Sequence, residues 1–215
     1  MRLVSVNVGR EQVVEHNGFS DLTGIVKISA PGAVEIMPWG LAGDAVVDTQ
    51  HHGGVDQAVY VYGEPEYAWW SAQLGYELAP GTFGENLTIS GLESASLNVG
   101  DILHIGAVAL QVTAPRFPCA TLAARMGDAG FVKRFREAGR PGAYCRVLKA
   151  GAVRAGDAVM LEQYTGETLS IAEMYREHYN PQPSAEMIRR HLVAPIAVRV
   201  RAHITEKARR VGIDC

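Results

Sequence analysis

The sequence predicts a mainly β fold, a barrel with helices added on its rim, followed by a small region of three helices. Three observations carry that prediction. Short apolar runs rich in valine and isoleucine recur between Leu3 and Leu161, about ten residues apart, as in a barrel or sandwich rather than in alternating βα units. Only two segments within that stretch read as helices. Beyond Tyr164 the texture changes to capped, amphipathic segments.

The strand-like runs are, in order, Leu3–Val8, Gly24–Ser29, Gly32–Met37, Asp44–Asp48, Gln57–Gly63, Glu85–Gly91, Gly100–Gly106, Val108–Ala114, Ala143–Leu148 and Asp157–Gln163. Glu64–Gly75 places its aromatics at helical spacing, and Asp128–Arg140 has the pattern of a short amphipathic helix stopped by glycine. A capping box, Ser170 to Glu173, opens a helix that puts Ile171, Met174, Tyr175 and His178 on one face. A second helix over Ser184–Val193 is bracketed by Pro183 and Pro195, and Pro195–Val211 supplies a third despite its β-branched residues. The boundary falls near Gly166, dividing the chain into residues 1–165 and 166–215. From Ser184 to Arg210 there are seven cations, at 189, 190, 199, 201, 207, 209 and 210, against Glu186 and Glu206. A solvated helical face explains them, and a docking surface for an acidic partner is the sharper alternative.

Composition narrows the function classes. With 215 residues, 47% hydrophobic and 20% charged, and a formal charge of -3, the chain has the makeup of an ordinary globular protein. It is a poor match to a whole-surface binder of nucleic acid or anionic membrane. No stretch approaches the roughly 20 apolar residues of a membrane span, and the amino terminus is too short an apolar run for a secretory signal. The three cysteines, Cys119, Cys145 and Cys215, are odd in number and badly spaced for a disulfide framework. A reducing, cytoplasmic setting is expected.

Several chemistries drop out on motif grounds. His51 and His52 precede a glycine pair and Asp56, a tight turn where backbone can approach a ligand closely. With no HExxH, no CxxC and no third ligand at standard spacing, zinc is not expected. Phosphate-loop and dinucleotide fingerprints are missing as well. Asn86 formally opens a glycosylation sequon, a chance match in a reducing compartment. Cys145 sits in an apolar run and reads as a core thiol, Cys215 as tail. Cys119 stands apart, because it follows Pro118 with Arg116 three residues before it, and a positive neighbour favours thiolate. On residue type alone, a buried structural thiol and a functional one are equally good accounts of it.

The segments HGGVDQAVYVY, PGTFGENLTISGL, VGDILHIGAVALQVTAPRFPC and GAYCRVLKAGAVRAGD, in this order, resemble the MOSC domain, the module named for the carboxy-terminal part of molybdenum cofactor sulfurases. The likeness covers about Gly24 to Leu161, and the three-helix tail is similar to the appendage of the YiiM-like branch. It implies a β-barrel with added helices in which the motif cysteine, here Cys119, ligates molybdenum held by a pterin dithiolene. A soft thiolate suits such a metal. The resemblance also implies contacts to the phosphate-bearing cofactor from Lys27, Arg116 and Asn86, with His52 and Gly53 in the matching HGG turn. His52 would donate to the pterin or to substrate oxygen. Asp44 matches a family position, although a turn-forming aspartate explains it equally well. Many relatives carry lysine where this chain has Gln57, so no charge argument rests on that position.

By the same resemblance the expected activity is reduction of N-hydroxylated compounds, hydroxylaminopurine bases among them, at a Cys119-ligated molybdenum cofactor, with His52 and Asp44 as catalytic candidates. Electrons would come from a separate reductase, because the chain has no flavin, nicotinamide or iron-sulfur motif. The competing reading is a non-catalytic carrier of cofactor or sulfur, with a persulfide on Cys119. No nucleic-acid or membrane partner is expected, and the pattern leaves the oligomeric state open, a homodimer included.

Overall fold

The computed structural model describes residues 1–49 and 52–213; His51 and Cys215 lie outside them. In chain order the elements are β1 (Arg2–Gly9), β2 (Gln12–His16), β3 (Phe19–Thr23), β4 (Lys27–Ser29), β5 (Val34–Met37), β6 (Gly40–Leu41), β7 (Val59–Gly63), α1 (Glu64–Leu74), β8 (Leu87–Ser90), β9 (Ile102–Ile105), β10 (Val108–Pro115), α2 (Ala120–Met126), α3 (Phe131–Ala138), β11 (Ala143–Lys149), β12 (Gly151–Val153), β13 (Val159–Glu162), α4 (Ile171–His178), α5 (Ala185–Val193) and α6 (Val198–Arg210).

One eight-stranded sheet dominates, ordered β13-β9-β10-β11-β7-β8-β1-β4. Its pairs are antiparallel except β7 with β8, which run parallel because α1 supplies the crossover between them. One βα unit is thus embedded among meanders. The expected closed barrel is corrected here: the sheet curls but does not close. Where β1 would meet β13 there is a single bridge, Arg2 opposite Ala158, with backbone bonds from Leu3 N to Asp157 O at 2.9 Å and Val159 N to Met1 O at 3.0 Å. The physical reason is that β4 takes the edge of β1 further along, pairing Asn7–Gly9 with Lys27–Ser29. Helices also take more of the chain than a mainly β class suggests, with six α-helices among the described residues.

The inner face of the sheet buries Leu3, Val61, Leu87, Ile89, Leu103, Leu110 and Cys145. Leu169, Ile171, Met174, Ala194 and Ile196 belong to that same cluster, so α4 and the segment between α5 and α6 complete the sheet's core. Ile188, Ile204 and Ala208 form a small cluster of their own between α5 and α6. A third cluster is aromatic, with Tyr62, Trp70, Phe83, Phe131 and Phe135 packing α1 and α3 over the other side of the strands. Trp70 and Phe135 stack at 5.9 Å. The capping box forms as read, with Glu173 N donating to Ser170 Oγ at 3.1 Å and Ser170 N to Glu173 Oε2 at 2.9 Å.

Two departures shape the site. The segment Asp44–Asp48, expected as a strand, is irregular and crosses over Gly24, where a Cβ would lie 2.0 Å from Ala45 O. The β2–β3 hairpin, absent from the expected elements, turns at Asn17 and Gly18, both at positive φ, and packs against α2.

Candidate active site

A cleft opens between the β2–β3 hairpin, the irregular Asp44–Asp48 crossing and the ends of β7, β10 and β11. Lys27, Asp44, His52, Gly53, Asn86, Arg116 and Cys119 all line it. The seven positions singled out in the sequence therefore converge on one wall system, although they come from five segments of the chain.

Cys119 follows the Pro-Arg-Phe-Pro turn that leaves β10 and is the N-cap residue of α2, in an extended conformation. It is partly buried. Burial pushes its thiol up, but a hydrogen bond with His52, the charge of Arg116 and the Leu122 amide outweigh that and bring it down to about 6. The thiolate is thus the resting form at neutral pH. Cys145, which burial alone pushes far above its ordinary value, is the inert core thiol the sequence suggests.

Arg116 is 3% exposed. Its guanidinium lies 5.6 Å from the Tyr60 ring and 5.7 Å from the Phe135 ring, and Nη1 is buried with no hydrogen-bond partner. A buried donor left unpaired on a permanent cation is costly. It marks a place where an anion would be welcome.

Lys27 and Asp44 form a buried ion pair. Asp44 Oδ1 also accepts from Gly9 N at 2.7 Å, and Oδ2 accepts from Asn86 Nδ2 at 2.8 Å. Asn86 Oδ1 in turn accepts from Tyr60 N at 3.1 Å. Asp44 is thereby the hub joining β1, β4 and the GENL loop, and Lys27 and Asn86 both spend donors on it. Glu85 of the same loop is held by Gly81 N and Thr88 Oγ1, each at 2.7 Å. Burial raises its carboxyl above the ordinary range.

The HGG turn behaves as read: Gly53 and Gly54 adopt φ of 68° and 81°, and a Cβ on Gly53 would meet Val46 Cγ1 at 2.8 Å. Three participants were not legible as site residues. Tyr144 reaches His52 Nδ1 at 3.4 Å, a long contact that still orients the ring. Tyr60 floors the cleft beneath Arg116. Arg199 of α6 donates to Thr49 O at 2.7 Å, Gly53 O at 3.0 Å and Gln57 Oε1 at 2.9 Å, tying the carboxy-terminal helix to the loop that carries His52. Gln57 thus has a polar role, as an acceptor. Among the described residues no cluster of three or more His, Cys, Asp or Glu is placed to hold a metal ion. Among the described residues no helix is long and apolar enough to cross a membrane.

The family model for the MOSC domain matches residues 48–160, more than half of the chain. The chain belongs to the MOSC domain family. The protein YflK of Bacillus subtilis is 34% identical over 190 residues, covering 88% of this chain and 86% of YflK. The crystal structure of YiiM from Geobacillus stearothermophilus superposes with a TM-score of 0.80 at 26% identity, covering 96% of this chain and 98% of that one. This MOSC protein is therefore YiiM-like through its carboxy-terminal helices as well as its sheet. A protein named Reductase from Gibberella moniliformis is 34% identical over 141 residues, 64% of this chain but only 25% of that longer protein.

Proposed function

We propose that this MOSC protein is a molybdenum-cofactor-dependent reductase of N-hydroxylated compounds, with hydroxylaminopurine bases among its substrates. The observation that carries the reading is the pairing of a Cys119 thiol lowered to about 6 with a buried Arg116 whose Nη1 has no partner, in one cleft. A soft thiolate and a guanidinium with an unpaired Nη1 suit a sulfur-ligated metal on an anionic organic cofactor. When bound, the cofactor supplies the two-electron redox chemistry.

The chain's own residues do the rest. Cys119 provides the protein ligand to the metal. Arg116 holds the anionic portion, and the Lys27–Asp44–Asn86 hub keeps the backbone of β1, β4 and the GENL loop in place around it. Reduction of an N–O bond, R–NHOH + 2 H⁺ + 2 e⁻ → R–NH₂ + H₂O, consumes protons, and His52 with Tyr144 behind it is the proton-bearing pair on the cleft wall. The electrons come from a separate reductase. The name of the fungal relative supports a reductive chemistry.

The test is molybdenum and pterin analysis of the purified protein, followed by reduction of an N-hydroxylated base with an artificial electron donor. Cys119→Ser is expected to fold, bind little molybdenum and lose the reaction, while Cys145→Ser keeps both. Full activity with bound metal in Cys119→Ser overturns the ligand assignment. A metal-free protein whose Cys119 carries an extra sulfur atom would favour the carrier reading instead.

A further inference from the structure

A second cavity, about 320 Å³, lies between the carboxy-terminal helices and the Pro-Arg-Phe-Pro-Cys turn. Phe117 from the turn, His178 from α4, His191 from α5 and His203 from α6 line it, with Met174 and Ile204 as apolar wall. Its size is at the lower end of small-molecule sites, roughly 300–1,000 Å³.

His191 gives the cavity its chemistry. The residue is 2% exposed, and its Nδ1 lies 2.8 Å from Met187 O. A carbonyl oxygen only accepts, so Nδ1 carries the hydrogen and Nε2 of the neutral ring presents a lone pair. That Nε2 is buried and without a partner. Phe117 and His178 stack with ring centroids 3.8 Å apart, and His203 lies 5.0 Å from His178, so the remaining wall is flat and aromatic.

The cations around the cavity are committed elsewhere. Arg199 is spent on the Thr49–Gln57 loop, Lys207 donates to Glu177 O at 2.7 Å, Arg136 lies over the Tyr179 ring, and Arg210 pairs with Glu206. Burial holds all three histidines below their ordinary range, His178 at about 4, so the imidazoles are neutral near pH 7. The site offers no net charge for an anion, and a purely aliphatic ligand would leave Nε2 unpaired.

We propose that this cavity is a second small-molecule site, for an uncharged planar nitrogen heterocycle whose N–H donates to His191 Nε2 while its ring packs against Phe117 and His178. The proposal goes beyond the redox reading of the first cleft and requires no cofactor.

The experiment titrates the full chain with adenine and follows the ring C–H resonances of His178, His191 and His203 by NMR. In parallel, 9-methylpurine serves as a ligand with the same ring system and no N–H. Adenine is expected to shift all three resonances with a saturable isotherm. 9-Methylpurine, and adenine with His191→Leu, are expected to bind at least about tenfold more weakly, as one lost buried hydrogen bond implies. Adenine affinity in Cys119→Ser is expected to match that of the unaltered chain. Absence of shifts at saturating adenine overturns the proposal, as does equal binding of the two ligands. Loss of adenine binding in Cys119→Ser overturns it too, by placing the base in the first cleft. A chain that binds adenine this way yet holds no molybdenum would refute the redox reading and leave this site standing.

Discussion

Alkylation of Cys119 is expected to titrate near pH 6, and to move upward when either of its neighbours is removed. An ordinary thiol with pKa about 8.5 is about 3% thiolate at pH 7, whereas one at about 6 is roughly 90% thiolate, calculated from the same equilibrium. Arg116→Met keeps the length of the buried side chain and deletes its charge. Losing an opposite charge at close range shifts a pKa by about one to three, so the midpoint should rise by at least about one, and His52→Ala should raise it through the lost hydrogen bond. The assay is iodoacetamide labelling from pH 4.5 to 9.5 with quantification of the Cys119 peptide by mass spectrometry. Cys145, fully buried and with its thiol pushed up, stays unlabelled while the chain is folded and reports unfolding if it is not. The same difference between folded and unfolded thiols, about 6 against about 8.5, is worth about 3 kcal/mol. Because folding lowers this pKa, the stabilisation is complete above about pH 8.5 and is lost as pH falls through about 6. Cys119→Ser should therefore cost more stability at pH 9 than at pH 5. A wild-type midpoint between 8 and 9, or one that ignores Arg116→Met, would refute the electrostatic account of the site.

Asp44→Ala strands the Lys27 ammonium, 8% exposed, and is expected to cost about 3–5 kcal/mol in urea unfolding, whereas Lys27→Met/Asp44→Leu recovers most of that loss; an undiminished unfolding midpoint in Asp44→Ala would return the residue to a catalytic role. Arg199→Ala is expected to raise the Cys119 alkylation midpoint by releasing the loop that carries His52, and Arg199→Lys fails to restore it because one ammonium cannot replace the guanidinium fork across three acceptors. A chain ending at residue 165 loses five core side chains from the sheet's own cluster, four of them, Leu169, Ile171, Met174 and Ile196, each worth roughly 1.5–3 kcal/mol, and is expected to show no cooperative thermal transition by circular dichroism.

What the sequence disclosed and what it hid follow from the range of the interactions involved. Alternation and capping are local, so nine of the ten strand-like runs contain strands and the Ser170–Glu173 box forms as read. The β2–β3 hairpin was missed, although Asn17-Gly18 between apolar runs is a strong hairpin signal, because its strands are short and half exposed. Strands β6 and β12, with two and three residues, carry no pattern of their own. The Asp44–Asp48 run has strand composition, yet Asp44 is committed to Gly9, Lys27 and Asn86, and tertiary bonding overrides propensity there. The basic tail shows the same limit most clearly. Counting charges left a solvated face and a docking surface open and disclosed nothing of the intramolecular partners that all seven cations have: Arg189 on Glu167, Arg190 on Glu173 and Thr168 O, Arg201 on Leu192 O and Ala194 O, Arg209 and Arg210 on Glu206, with Lys207 and Arg199 mainly on backbone carbonyls. Carbonyl acceptors exist at every residue and leave no trace in a charge pattern.

The site divides along the same line. Arg116 and Cys119 are three residues apart in a turn stiffened by Pro115 and Pro118, so their electrostatic coupling could be read from one short segment. His52 lies 92 residues from Tyr144, with which it shares a long hydrogen bond, and Arg199 lies 150 residues from Thr49. Those distant partners determine where the imidazole sits beside the thiol. The sequence therefore singles out the thiol, while its protonation state depends on contacts that include those of the carboxy-terminal helix to the loop carrying His52. That dependence gives the three-helix appendage a physical role in the first cleft: α6, through Arg199, helps to hold His52 within reach of Cys119.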